Sequence, residues 1–110
     1  GNAENIIEDV TFENCKITLT KTSKWDCGMY DLRPCLDWGV EKYDNSAFFI
    51  RYAKNVLIEK TQTMWGNLCD SYKHAIDAEN VENLELVRFD GKAVSPLVDD
   101  IKLNNVKIVK

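Results

Sequence analysis

No stretch of about 18 apolar residues occurs in this chain, so nothing in it reads as a membrane-spanning helix. Positive charge is scarce: 14 Lys and Arg against 18 Asp and Glu give a net charge of -4 over 110 residues. A nucleic-acid-binding surface needs clustered Lys and Arg to replace phosphate counterions, so nucleic acid is not an expected partner. The cysteines Cys15, Cys27, Cys35 and Cys69 form no C-x-x-C pair, which argues against a zinc knuckle. Disulfides of an exported protein and unpaired thiols are the two alternatives they leave. Hairpin dipeptides are nearly missing, with Asp90-Gly91 the one exception. Neither an EF-hand spacing nor a run of alternating carboxylates is present, so no metal and no cofactor is expected. A leader sequence is missing too, and the numbering opens on Gly1 rather than Met, as after processing or excision.

What is present is a repeat. Asp9-Val10-Thr11-Phe12, Asn55-Val56-Leu57-Ile58, Asn83-Leu84-Glu85-Leu86 and Asn105-Val106-Lys107-Ile108 each place apolar, variable and apolar residues after Asn or Asp. Two residues before the Asn or Asp lie Ile7, Ala53, Val81 and Leu103. Stacked copies would align these four in one interior column, Val10, Val56, Leu84 and Val106 in a second, and Phe12, Ile58, Leu86 and Ile108 in a third. Steps of 46, 28 and 22 residues between copies suit a coil with a rung in the low twenties, enlarged by insertions.

Apolar residues at every second position fit strands with one buried face, and the many β-branched residues disfavour helix. A sandwich of hairpins would alternate as well, but constant offsets between copies would then have no cause. Strands are expected near 5–12, 15–20, 46–52, 55–63, 74–79, 83–89, 100–103 and 105–109. The two largest insertions, 21–45 and 64–73, fall at equivalent places in neighbouring rungs. Stacking at roughly 4.8 Å would set them side by side.

Three segments carry a family likeness: Ile7-Glu8-Asp9-Val10-Thr11-Phe12-Glu13-Asn14-Cys15, Phe48 through Ile58, and His74 through Leu84. Together with Arg33-Pro34 to Trp38-Gly39, they resemble the right-handed parallel β-helix proteins of the pectin-lyase-like superfamily, in particular the later coils of bacterial glycoside hydrolase family 28. The resemblance implies an all-β chain, a short right-handed parallel β-helix (solenoid) of about four rungs. Residues 1–110 would form one domain with 21–45 as a lateral loop insertion, a C-terminal segment of a longer protein or a reduced member. The family's Asn-Thr-Asp, Gly-His-Gly and Arg-Ile-Lys motifs are absent, and Asp99-Asp100 matches its paired carboxylate in letters only. No catalytic residue transfers.

The long loop gathers Trp25, Asp26, Tyr30, Asp31, Arg33, Asp37, Trp38, Glu41 and Tyr43, and its neighbour adds Trp65, Asp70, Tyr72 and His74. Aromatic faces stack on sugar rings while carboxylates and Arg bond hydroxyls, so the set is a candidate oligosaccharide or polysaccharide surface. The competing account is that the tryptophans cover the side of the coil and the charges solvate the loop. Asp26, Asp31, Asp37 and Glu41 also offer carboxylate pairs for a glycoside hydrolase or polysaccharide lyase, and their separation would decide the outcome. His74 as an acid or base competes with a hydrogen-bonded structural role. Cys27, Cys35 and Cys69 lie where a bridge could pin the two loops, and Cys15 is expected to pack alone. Open end rungs, without polar caps, suggest pairing with missing parts of a longer chain or with another copy. The expectation is an exported, carbohydrate-associated module, extracellular or periplasmic; an enzyme and a purely structural assembly module are the alternatives.

Overall fold

The computed structural model describes residues 1–24, 27–35 and 38–109, with 29–42 described by their backbone. Seven strands make up the regular structure: β1 (Ile7–Glu13), β2 (Lys16–Leu19), β3 (Met29–Cys35), β4 (Trp38–Lys42), β5 (Phe48–Trp65), β6 (Ile76–Asp90) and β7 (Ile101–Val109). The chain is all-β, with no helix among the described residues. Its main sheet has the order β1-β5-β6-β7, with β2 on β5 beyond β1, and every pairing in it is parallel. β3 and β4 form a separate antiparallel pair.

Expected strands 46–52 and 55–63 fuse into β5, as 74–79 and 83–89 fuse into β6, because backbone pairing continues through the corners between them. The 18 residues of β5 would span about 59 Å if straight, at about 3.3 Å per residue, whereas the longest extent of the molecule is 39 Å. β5 therefore bends. Its corners are Tyr52, Asn55 and Lys60, whose φ angles of 54°, 56° and 48° lie in the left-handed region. Corners stack from strand to strand: Asp9, Asn55 and Asn83 form one row, Asn14, Lys60 and Arg88 a second, and Tyr52, Asn80 and Asn105 a third. Asn and Asp tolerate this conformation because their short polar side chains bond locally. Asn55 Nδ2 donates to Asp9 Oδ1 at 3.0 Å, Asn83 Nδ2 to Asn55 Oδ1 at 3.0 Å, and Asn105 Nδ2 to Asn80 Oδ1 at 2.7 Å. The Asn or Asp that opens each repeat is thus a corner residue, locked to the layer beside it.

Columns expected from the offsets hold across the first three layers. Ile7 pairs with Ala53 and Ala53 with Val81; Val10 with Val56 and Val56 with Leu84; Phe12 with Ile58 and Ile58 with Leu86. The fourth layer departs from them. Leu103 pairs with Ala78, Val106 with Val81 and Ile108 with Leu84, across an irregularity between Val81 and Leu84. β6 turns two adjacent corners, Asn80 and Asn83, while β7 turns only Asn105, which joins the row of Asn80. Saving one corner shortens the path, so everything after it slips relative to the repeat.

Phe48, Ala53, Val56, Ile58, Ile76, Ala78, Val81 and Leu84 form the buried core, with Phe12, Leu86, Phe89 and Val106 packed against it. Phe48 meets both Phe12 and Phe89 edge-on, with ring centroids 5.1 Å and 6.2 Å apart. Since Phe12 pairs with Ile58, ten residues beyond Phe48, the bent strand closes around its own apolar side chains. Each fully buried Ile or Leu contributes about 1.5–3 kcal/mol.

The stretch expected as a lateral loop, 21–45, carries the β3–β4 hairpin, in which Tyr30 pairs with Glu41 and Asp31 with Val40. Alternation that would have marked these strands is interrupted by Arg33-Pro34, and no Asn-Gly or Asp-Gly letters stand between them.

Candidate functional site

Three connecting segments follow one another up one side of the stack: the 20–47 stretch, 66–75 and 91–100. Backbone bonds tie the first two, with Gly66 N donating to Leu19 O at 2.8 Å, Lys21 N to Asn67 O at 2.9 Å and Asn45 N to Ser71 O at 2.6 Å. The insertions accordingly lie side by side, as their equivalent positions require. Asn45 is the polar hub. Its Oδ1 accepts the Gly28 N–H at 2.9 Å and the Ser71 hydroxyl at 2.6 Å, while its carbonyl accepts Lys73 N at 3.0 Å. Gly28 has φ of 84°, and a Cβ there would sit 3.2 Å from Ser71 Cβ, so glycine suits both the turn and the close approach. A disulfide joins Cys27 to Cys69 beside this hub, with their Cα atoms 6.6 Å apart. Cys15 is a free, half-buried thiol.

The third segment docks on the second. Val94 N donates to Lys73 O at 2.9 Å, and Asp100 accepts Ala93 N at 2.7 Å through Oδ1 while its Oδ2 lies 3.6 Å from Lys92 Nζ. Trp65, half-buried at the end of β5, donates its indole N–H to Lys92 O at 2.9 Å. Its ring lies 5.3 Å from that of Tyr72, tilted by 35°. Beside Tyr72 opens a hollow of about 500 Å³, lined by Leu68, Asp70, Lys73, Leu97 and Val98 among others. Leu97 is almost wholly exposed at its rim. An aromatic ring, a carboxylate, an ammonium and apolar walls are the groups with which proteins grip a small polar ligand that has one flat apolar face.

Of the residues singled out in the sequence, Trp65 and Tyr72 come together here. His74 follows on the same segment, its Nδ1 2.7 Å from Asp99 O, a main-chain tie that suits a structural role. Tyr30, Asp31 and Arg33 lie on β3, Trp38 and Glu41 on β4. Trp25, Asp26 and Asp37 lie outside the described residues.

One cluster escaped the sequence reading. The Arg51 guanidinium bonds Ile50 O and Asp77 O, each at 3.0 Å, and Asp77 Oδ1 at 3.2 Å; its Nε lies 3.3 Å from Glu79 Oε2. Its plane covers the Phe49 ring at 3.9 Å, and Tyr43 packs on the same ring at 5.2 Å. With most of its donors engaged, Arg51 clamps β5 to β6 over the buried Asp77. Phe49 to Asp77 and Arg51 to Glu79 repeat the 28-residue step of the apolar columns, a signal that polar letters made easy to pass over.

Among the described residues, no three of His, Cys, Asp and Glu gather closely enough to hold a metal ion. No helix among them is long and apolar enough to cross a membrane. No family model, curated protein or solved structure matches the chain.

Proposed function

We propose that this chain is a carbohydrate-associated module of an exported protein, built as a short right-handed parallel β-helix of about four rungs, which binds a saccharide on the wall of stacked connecting segments. The observation that carries this is a hollow of about 500 Å³ lined by Tyr72, Asp70 and Lys73, with the Trp65 ring packed against Tyr72. The Tyr72 ring, backed by Trp65, offers an apolar face, the charged groups bond hydroxyls, and the volume lies within the range of small-ligand sites. Stacked corners and columns support the coil, since neighbouring layers share rows of left-handed corners. The Cys27–Cys69 disulfide supports export, because such bonds persist in oxidising compartments. It also fixes the base of the insertion bearing Trp38 against the segment that bears Tyr72, which reduces the ordering cost of binding.

Titration of the protein with a panel of neutral and acidic oligosaccharides, followed by tryptophan fluorescence, tests the reading. Binding quenches the emission, and Trp65→Ala or Trp38→Ala removes part of the response and weakens the affinity about tenfold or more. Unchanged emission with every oligosaccharide, or wild-type affinity in both variants, would sink it. Release of reducing ends from the same panel would instead favour a glycosidase using the loop carboxylates.

A further inference from the structure

Of the three outer strands of the main sheet, β1, β2 and β7, the first and the last carry opposite charge. β1 holds Glu8, Asp9 and Glu13 with no Lys or Arg, and β7 holds Lys102 and Lys107 with no Asp or Glu. Register makes the opposition specific. Glu8 pairs with Lys54 and Lys54 with Glu82, and Lys107 follows Val106, the partner of the residue before Glu82. Lys54, Glu82 and Lys107 line one hollow of about 420 Å³, beside the corner row of Tyr52, Asn80 and Asn105. From edge to edge the column therefore reads Glu, Lys, Glu, Lys. An alternating column with an even number of members ends on opposite signs, so its two ends complement each other.

The apolar columns run out at the same two edges. Ile7 is 51% exposed on β1, and Ile108 and Val109 are 37% and 38% exposed on β7. Among the described residues β1 pairs only with β5, and β7 only with β6, so each leaves one row of backbone donors and acceptors unused by the sheet. Such edges template a further strand.

We propose that β7 of one copy of this chain receives β1 of a second copy in parallel, with Val106 over Ile7 and Lys107 over Glu8. The first apolar column then continues, Ile7, Ala53, Val81 and Val106 meeting the next Ile7, and the charge column keeps its alternation. The bend at Asn105 agrees, whereas β7 has no counterpart to the corner at Asp9, so the register slips beyond Lys107 as it does between β6 and β7. Asn105 precedes Val106 as Tyr52 precedes Ala53, so the bend of β7 falls just before Ile7 of the incoming strand. Because the two surfaces differ, the contact is heterologous and does not close on itself. It yields linear head-to-tail assemblies rather than a symmetric dimer, and does not depend on the saccharide reading.

Sedimentation velocity of the 110-residue chain over a wide concentration range tests this. The expected result is a series of masses in steps of 12.6 kDa that extends past the dimer, grows with concentration and recedes at high salt. Glu8→Lys and Lys107→Glu each weaken the contact by at least about tenfold, because like charges then face each other. An equimolar mixture of the two variants regains the growth, since reversed end meets reversed end and native end meets native end. Lys107→Arg leaves it intact. A single 12.6 kDa species at every concentration, a dimer that grows no further, growth untouched by either single variant, or a mixture that stays monomeric would each overturn the proposal.

Discussion

β5 and β6 carry the same alternating pattern as β1 and β7, yet the four strands live in different environments. Val56, Ile58, Val81 and Leu84 on the central pair are almost wholly buried, whereas Ile7 on β1 and Ile108 on β7 remain substantially exposed. A column position has a neighbour above and below only in the middle of the stack. At its edges one side faces solvent, so the same residue type buries less area and contributes less. The pattern therefore specifies where a side chain points, and position in the stack specifies what that direction is worth.

Truncation breaks this comparison most sharply. Ile58→Ala should cost about 2–5 kcal/mol, because it opens a cavity between Phe12 and Leu86 that neighbours fill only in part. Ile108→Ala should cost about 1 kcal/mol or less, since water already reaches that side chain. Urea denaturation midpoints compare the two, and equal losses would show that the edges are as well packed as the centre.

The disulfide gives the next largest effect, and it falls on the wall rather than the stack. Cys27→Ser should lower stability by about 2–4 kcal/mol, because the bond closes a 42-residue separation in the unfolded chain. Cys15→Ser, at a thiol with no such constraint, should leave the melting temperature nearly unchanged. Thermal unfolding followed by circular dichroism separates the pair.

Smallest are the corners, which sharpen the contrast within a single strand. Asn55 bonds the layers on both sides, so Asn55→Ala should cost about 1–2 kcal/mol through lost bonds and a strained left-handed residue. Lys60 holds φ of 48° without an Asn side chain to suit it, so Lys60→Asn should gain about 0.5–1 kcal/mol. A loss at Lys60 comparable to that at Asn55 would mean that its side chain contributes to the corner.

The legible part of the site was its composition and its adjacency. Trp65 and Tyr72 stood close in sequence on one connection, and equal insertion points placed 64–73 beside 21–45. Arg51 was not legible as a clamp, because its partners Asp77 and Glu79 lie 26 and 28 residues away and look like surface charges until the strands are aligned. The choice of Cys69 for Cys27 was equally hidden, with Cys35 nearer in sequence. Asn105 misled for a different reason: Asn80 and Asn83 both precede an aliphatic residue, and letters alone do not say which of the two it stacks on.

Alternation and the recurring Asn or Asp determined by themselves that this chain forms strands, that those strands bend at polar corners, and that three layers share apolar columns. These are local requirements of backbone conformation and of burying one face, and each is met within a few residues. Which corner β7 aligns with, which cysteine closes the wall, the β3–β4 pairing and the charge sequence from Glu8 to Lys107 were decided only by tertiary structure. Each depends on a neighbour more than two dozen residues away or on the length of chain between corners, and parallel stacking converts such lengths into contacts that no local pattern encodes.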